Sequence, residues 1–337
     1  MDKLLNVSYP TFILIFFSLL VTGCDADRSG LKPSTGKTNE LLVVTNSEAT
    51  WKGNTGSEIS GFFGQILEGL PQPEKTYDIA HIPEPNFSQM FKTHHNIFIV
   101  DINPSFAQPV IETYADFWAK PQRVIKMTVA DEQTFLNEFE QHKEAFIELF
   151  NANERTRAAL AYGTIPDMKI KNHLLNKFGI DILIPQSFFV ASETEDFIWL
   201  RREAQQFGQG ILIYFYPYTD TIAFDPEQII SRRNDFTMNH VPGPVDGSYM
   251  KISTFEPPVT RRIDFNGHFA VEMRGLWDLE GDFMGGPFIS YTLVDPRKNR
   301  VITLDGYVYN PNQEKKHLVR QLEALLYTLS FPEEQKK

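Results

Sequence analysis

Cysteine is almost absent from this chain: among 337 residues there is one, Cys24. No internal disulfide is available, so the fold must be held by packing. There is also no long hydrophobic run. The most apolar stretch, Phe12 to Val21, falls short of the roughly 18 residues that a membrane-spanning helix needs. Basic residues are outnumbered, 32 lysines and arginines against 43 aspartates and glutamates, for a net charge of −11. Such a body argues against nucleic acid or anionic lipid headgroups as the main partner. H-E-x-x-H, C-x-x-C, G-x-S-x-G and Walker patterns are all missing, so metal hydrolysis, acyl transfer and nucleotide binding have no local signature. Catalytic groups that converge from distant strands are not excluded by this. Adjacent histidines, His94 and His95, would point to opposite faces of a strand, and no acidic residue stands at a ligand-like spacing. No metal or other cofactor is expected.

What is there is apolar and aromatic: 42% of residues are hydrophobic and 13% aromatic, enough for a large core and, at this length, two domains. The run ending at Val21 reads as the h-region of a signal peptide spanning residues 1–23. Leu20-Val21-Thr22-Gly23-Cys24 resembles the bacterial lipobox. That resemblance implies cleavage before Cys24, with acyl chains on its sulfur and its new amino terminus, so that the membrane is contacted through this anchor. Residues 24–39, with Gly30, Pro33, Ser34 and Gly36, read as a flexible tether. Ser34-Thr35-Gly36-Lys37 matches the S-x-x-K pattern by chance, because its partner motifs are missing.

The pattern then divides into an α/β domain over 40–165 and an α+β domain over 170–332. In the first, strands are expected at Glu40 to Thr45, Asp78 to Ile82, Asn96 to Ile102 and Arg123 to Val129, with helices from Glu58 to Leu70 and from Glu132 to Tyr162. The stripe Phe135, Phe139, Phe146, Leu149, Phe150 in the long helix is core. After Ile180 strand follows strand, the pattern of an antiparallel sheet. Phe269, Val271 and Met273 should face inward while His268, Glu272 and Arg274 face out. Asp295 to Asn299 supplies the turn of a hairpin. The last helix is expected to start with Asn310 as cap and Pro311 at its first position, and to lay Leu318, Leu322, Leu325, Leu326 and Leu329 across the sheet. The class is α+β, an α/β layer followed by a mainly antiparallel sheet covered by helices, and the layout resembles that of the PsbP and Mog1 families.

Three places invite a binding role. The loop Asn46 to Gly56, with Trp51 and Lys52, joins a strand to a helix whose free N–H groups can hold an anion. Tyr214, Tyr216 and Tyr218 share one face of a strand, with Tyr307 and Tyr309 aligned on another, and exposed rows of this kind grip a glycan or a protein. Between Met273 and Pro287 lie Arg274, Trp277, Asp278, Glu280, Asp282, Gly285 and Gly286, a mixture of aromatic, charged and backbone-permissive residues. The carboxylates there suit calcium or acid–base chemistry.

The lipobox, the Trp51 loop, Gly275-Leu276-Trp277 with Met284-Gly285-Gly286-Pro287-Phe288, and Leu304-Asp305-Gly306-Tyr307-Val308-Tyr309-Asn310-Pro311 together resemble an uncharacterised lipoprotein family of the Bacteroidota. The resemblance implies a cell-envelope location, with the outer membrane favoured, and carries over no catalytic residue. The expectation is an anchored envelope lipoprotein that binds a protein, glycan or other envelope ligand through its sheet face or the loop around Trp277. The alternative is a hydrolase using Asp278, Glu280 or Asp282 with Arg274.

Overall fold

Short runs of β-branched and aromatic residues, punctuated by turn formers, become strands of two large sheets, with a two-stranded sheet beside them. The computed structural model describes residues 30–332, so the expected signal peptide and Cys24 lie outside the described residues. From Lys32 onward the chain packs as one compact unit.

The first half contributes β1 (Lys32–Pro33), β2 (Glu40–Thr45), α1 (Glu48–Lys52), α2 (Asn54–Phe63), β3 (Asp78–Pro83), β4 (Asn96–Ile102), β5 (Val110–Ala115), β6 (Ala119–Lys120), β7 (Arg123–Val129) and α3 (Glu132–Tyr162); β1 and β6 pair as a separate two-stranded sheet, and the other five strands form the first large sheet. Its order is β3-β2-β4-β7-β5, parallel except at β5. Helix α3 has the expected bounds. Asp131 caps it by accepting from the Thr134 amide at 2.8 Å, and the stripe Phe135, Phe139, Phe146 and Phe150 is buried against Phe63 and Phe98. The tether is shorter than its composition implies. Lys32 and Pro33 pair with Ala119 and Lys120, Ser34 Oγ lies 2.7 Å from His95 Nδ1, and His94 Nε2 lies 2.8 Å from Glu40 Oε2. Residues 32–39 dock through polar and backbone bonds, which leave no apolar signature in sequence.

The second half contributes α4 (Met168–Phe178), β8 (Phe189–Glu193), β9 (Phe197–Glu203), β10 (Gly208–Pro217), α5 (Pro226–His240), β11 (Tyr249–Ile252), β12 (Val259–Phe265), β13 (His268–Glu280), β14 (Gly285–Asp295), β15 (Arg300–Tyr309) and α6 (Lys316–Leu326). The strands form one antiparallel sheet in the order β11-β13-β14-β15-β10-β9-β8, with β12 beside β13. The class is therefore α+β, as expected. Helices α4 and α6 cover one face, with Leu318, Leu322, Leu325, Leu326 and Leu329 in its core. Helix α5 covers part of the other.

Two local expectations are corrected. The Glu272 and Arg274 face of β13 is buried rather than solvated, because α3 and α6 bring charges of their own. Arg274 Nε donates to Glu272 Oε1 at 2.9 Å and its Nη2 to Glu323 Oε2 at 3.3 Å. Arg155 and Arg320 also pair with Glu323. Burial pushes the Glu323 carboxyl up, but Arg320, Arg274 and Arg155 outweigh it and hold the group down at about 2. Secondly, α6 starts at Lys316 rather than after Asn310. The cap comes from across the molecule: both Glu74 oxygens accept at 2.8 Å, one from the Lys315 amide and one from Lys316.

Candidate functional site

Glycine opposite an aromatic residue shapes one end of the large sheet. Tyr307 in β15 pairs with Gly210 in β10, and a Cβ on Gly210 would lie 2.0 Å from the Tyr307 ring. The phenol therefore lies flat on the neighbouring strand. Trp277 in β13 pairs with Gly286 in β14, where an added Cβ would sit 2.0 Å from the Val308 carbonyl and 3.2 Å from the indole nitrogen. Trp277 Nε1 donates to Val308 O at 3.2 Å, and Trp199 Nε1 donates to the Tyr307 hydroxyl at 3.0 Å. The Trp277 and Tyr307 rings meet edge to face, 5.4 Å apart at 74°. Burial pushes the Tyr307 phenol well up, so it stays protonated.

These rings floor a cleft of about 640 Å³, walled by Met250, Leu279, Met284 and Tyr309 and edged by Pro242, Pro244 and Pro311. Arg201 covers the Trp199 ring at 4.9 Å, and Arg202 donates to Gln209 Oε1 at 3.0 Å. An apolar concavity with a few fixed polar groups is the usual form of a small-ligand site. Its chemistry favours an aliphatic or aromatic group over a charged one, since every polar group on its floor already has a partner.

Of the residues singled out in sequence, Trp277, Gly286 and Tyr307 meet here. Gly285 serves the backbone: it pairs with Asp278, and a Cβ would stand 2.8 Å from Trp277 O. Arg274 and Asp278 alternate with Trp277 along β13 and so occupy the other face. Arg274 is committed to Glu272 and Glu323, and Asp278 is four residues on, roughly 13 Å along the strand. Glu280 pairs with Lys251, and Asp282 Oδ1 accepts from the Phe283 amide at 2.6 Å. The Met273 to Pro287 stretch is mostly strand, and its Arg274 does not converge with its carboxylates. Among the described residues, no group of His, Cys, Asp and Glu has a metal-holding arrangement.

Trp51 and Lys52 stand apart, in a segment that is helical rather than a loop. Trp51 stacks on His81 at 4.4 Å, and Lys52 pairs with Glu48 at 3.4 Å. The start of α2 already has its anion, because Glu132 Oε1 accepts from both the amide and the hydroxyl of Thr55 at 3.2 Å. The tyrosine row is largely covered: Tyr214 stacks on Phe236 of α5 at 4.5 Å. Trp199, Met250 and the Pro242–Pro244 edge were missed in sequence. No local signal marks them: strand pairing and the Trp199 bond to the Tyr307 hydroxyl bring them to the cleft.

Comparison with curated proteins gives no match. Among solved structures, the chain is similar to the Ran-binding protein Mog1p of Saccharomyces cerevisiae at 10% identity, over 45% of this chain and 90% of that one, with a TM-score of 0.29. It is also similar to LpqN, involved in cell envelope biogenesis of Mycobacterium tuberculosis, at 14% identity over 45% and 83%, with a TM-score of 0.28. Family models match most of the chain: residues 34–162 match DUF8532 and residues 167–328 match DUF4837, each a domain of unknown function.

Proposed function

We propose that this protein is a lipid-anchored cell-envelope binding module that takes an apolar part of its ligand into the Trp199, Trp277 and Tyr307 cleft. The cleft carries the reading. Its aromatic floor is held in place by two indole hydrogen bonds and two glycine contacts, so little ordering remains to oppose binding. The lipobox supports the anchor, acylated at Cys24, with the outer membrane as its site. Eight residues lead from Cys24 to the first docked residue, Lys32, which limits that separation to about 28 Å when fully extended. The ligand is then one found at or near the membrane surface. An acidic body of net charge −11 keeps nucleic acid out of this role.

The test uses the chain from Asp25 onward, which contains the whole compact unit, and the uncharged fluorescent probe N-phenyl-1-naphthylamine. Saturable binding at one probe per chain is expected. Met284→Glu, which places a charge in the cleft wall, should abolish it while leaving the melting temperature near that of the wild type. Probe binding that is absent, or indifferent to Met284→Glu, refutes the reading.

A further inference from the structure

The first sheet carries a second cleft, of about 490 Å³, on the face turned away from α2 and α3. Its position follows from the path of the chain. From β2 to β3 the chain passes through α1 and α2, whose Ile59 and Phe63 share a core with Leu41 and Val43. From β3 to β4 it steps back past β2 through residues 84–95, whose Phe87 and Phe91 pack with Leu42 and Val44. The two connections leave on opposite faces, so strand order reverses between β2 and β4. Open parallel sheets hold ligands in the crevice outside the carboxyl ends of such a strand pair. Asn46 and Asp101 occupy that place here, with Asn46 Nδ2 donating to Asp101 Oδ1 at 3.2 Å and Asn46 Oδ1 accepting from the Ile102 amide at 2.7 Å.

The same cleft runs along the sheet face to the amino end of β7, where Tyr114 pairs with Val124 and a corner of aromatic rings closes it. Tyr114 stacks on Phe117 at 4.5 Å, Phe117 meets Trp118 at 4.5 Å, and Trp118 meets Phe87 at 5.7 Å. Phe117 is 45% exposed, so its ring is spent on solvent rather than on the core. The corner is rigid nevertheless. Gln122, 1% exposed, accepts on Oε1 from the Trp118 amide at 2.9 Å and the Ala119 amide at 3.3 Å. Its Nε2 donates to the carbonyls of Lys92 and His94 at 2.6 and 2.7 Å. One buried amide thus clamps both sides of an exposed aromatic corner, which leaves that corner preorganised.

The polar lining holds both signs: Asp101 faces Lys126 at 3.7 Å, and Glu112 accepts from the Tyr114 hydroxyl at 2.5 Å. A phosphate would meet these carboxylates, and the aromatic box for a cation is already used, since Lys92 Nζ lies 5.4 Å from the Trp118 ring and 5.9 Å from Phe87. Hydroxyl groups, which donate and accept, suit the mixture.

We propose that this crevice is a saccharide-binding site. The exposed Phe117 ring stacks on the C–H face of a pyranose with Trp118 edge-on beside it, and Glu112, Lys126, Asp101 and Asn46 exchange hydrogen bonds with hydroxyls along the saccharide. The site is separate from the apolar cleft of the large sheet, and neither depends on the other. The chain from Asp25 onward is applied to an array of neutral and amino-sugar glycans, and the strongest hit is titrated calorimetrically. At least one glycan should bind, with affinity reduced tenfold or more by Phe117→Ala and by Asp101→Asn. Both variants should melt within about 2 °C of the wild type, because neither side chain is in the core. Met284→Glu should leave glycan affinity unchanged. An array with no bound glycan, or a hit indifferent to Phe117→Ala, overturns the assignment.

Discussion

Gly210→Ala is the change that most sharply separates a cleft built on glycine contacts from one that merely contains glycine. The added methyl would lie 2.0 Å from Tyr307 Cε1, 2.3 Å from Cζ and 2.6 Å from the hydroxyl, so the ring must lift. Overpacking of this kind costs about 1–3 kcal/mol. Lifting the phenol also takes the acceptor from Trp199 Nε1, 3.0 Å away, and an unpaired buried donor costs about 1–3 kcal/mol more. A total of about 3 kcal/mol corresponds, for a chain of this size, to a fall of roughly 4–5 °C in melting temperature. The sign reverses once the ring is gone. In a Tyr307→Ala background the same Gly210→Ala replacement meets no ring, and alanine is favoured over glycine in a strand by about 0.5–1 kcal/mol. The double-mutant cycle, followed by urea denaturation and calorimetry, should show a coupling of at least about 2 kcal/mol between positions 210 and 307. Additive costs would refute the ring-on-glycine account, and with it the reason given for the shape of the cleft floor.

Glu323→Gln removes the carboxylate on which Arg155, Arg274 and Arg320 converge, and leaving buried charges unmatched should cost about 3–5 kcal/mol in denaturant unfolding. Arg261→Ala, which breaks an exposed pair with Glu68, should change stability by less than about 0.5 kcal/mol in the same assay. The Glu323 carboxyl titrates at about 2 when folded, against 4.5 ordinarily. Its stabilising contribution is therefore complete above pH 4.5 and is lost as pH falls towards 2, so the Glu323→Gln deficit should shrink across that window. His95 acts in a higher range. Burial first, then Arg157, lowers it from 6.5 to about 4, so the unfolded chain takes up the proton before the folded one does. Stability should fall as pH drops from 6.5 to 4, and a His95→Asn variant should lack that part of the slope in calorimetric scans.

Much of the fold was legible because its elements obey one period each. The α3 stripe of phenylalanines and the apolar runs of β4 and β7 are local patterns, and their bounds came through directly. The start of α6 was not local: Glu74 caps it from some 240 residues away, as judged from its separation from Lys315 and Lys316, so Asn310 and Pro311 offered a plausible but unused start. Charge misled for a related reason. Glu272 and Arg274 read as a solvated face, but Glu323 and Arg155 arrive from two helices to neutralise and bury them. In the cleft, Trp277, Gly286 and Tyr307 were visible as an unusual local composition. Trp199 and Gly210 were not, because what makes them matter is strand register, which places Gly210 beneath Tyr307 and Trp199 within reach of its hydroxyl.

The apolar cleft is tested most directly by what it keeps. The chain from Asp25 onward, and the same chain with Met284→Glu, would be exposed to detergent-solubilised envelope extract, repurified, and weighed intact under native conditions. An apolar small-molecule adduct on the wild type that is missing from Met284→Glu is the predicted result. The same adduct on both proteins, or none on either, would contradict the account.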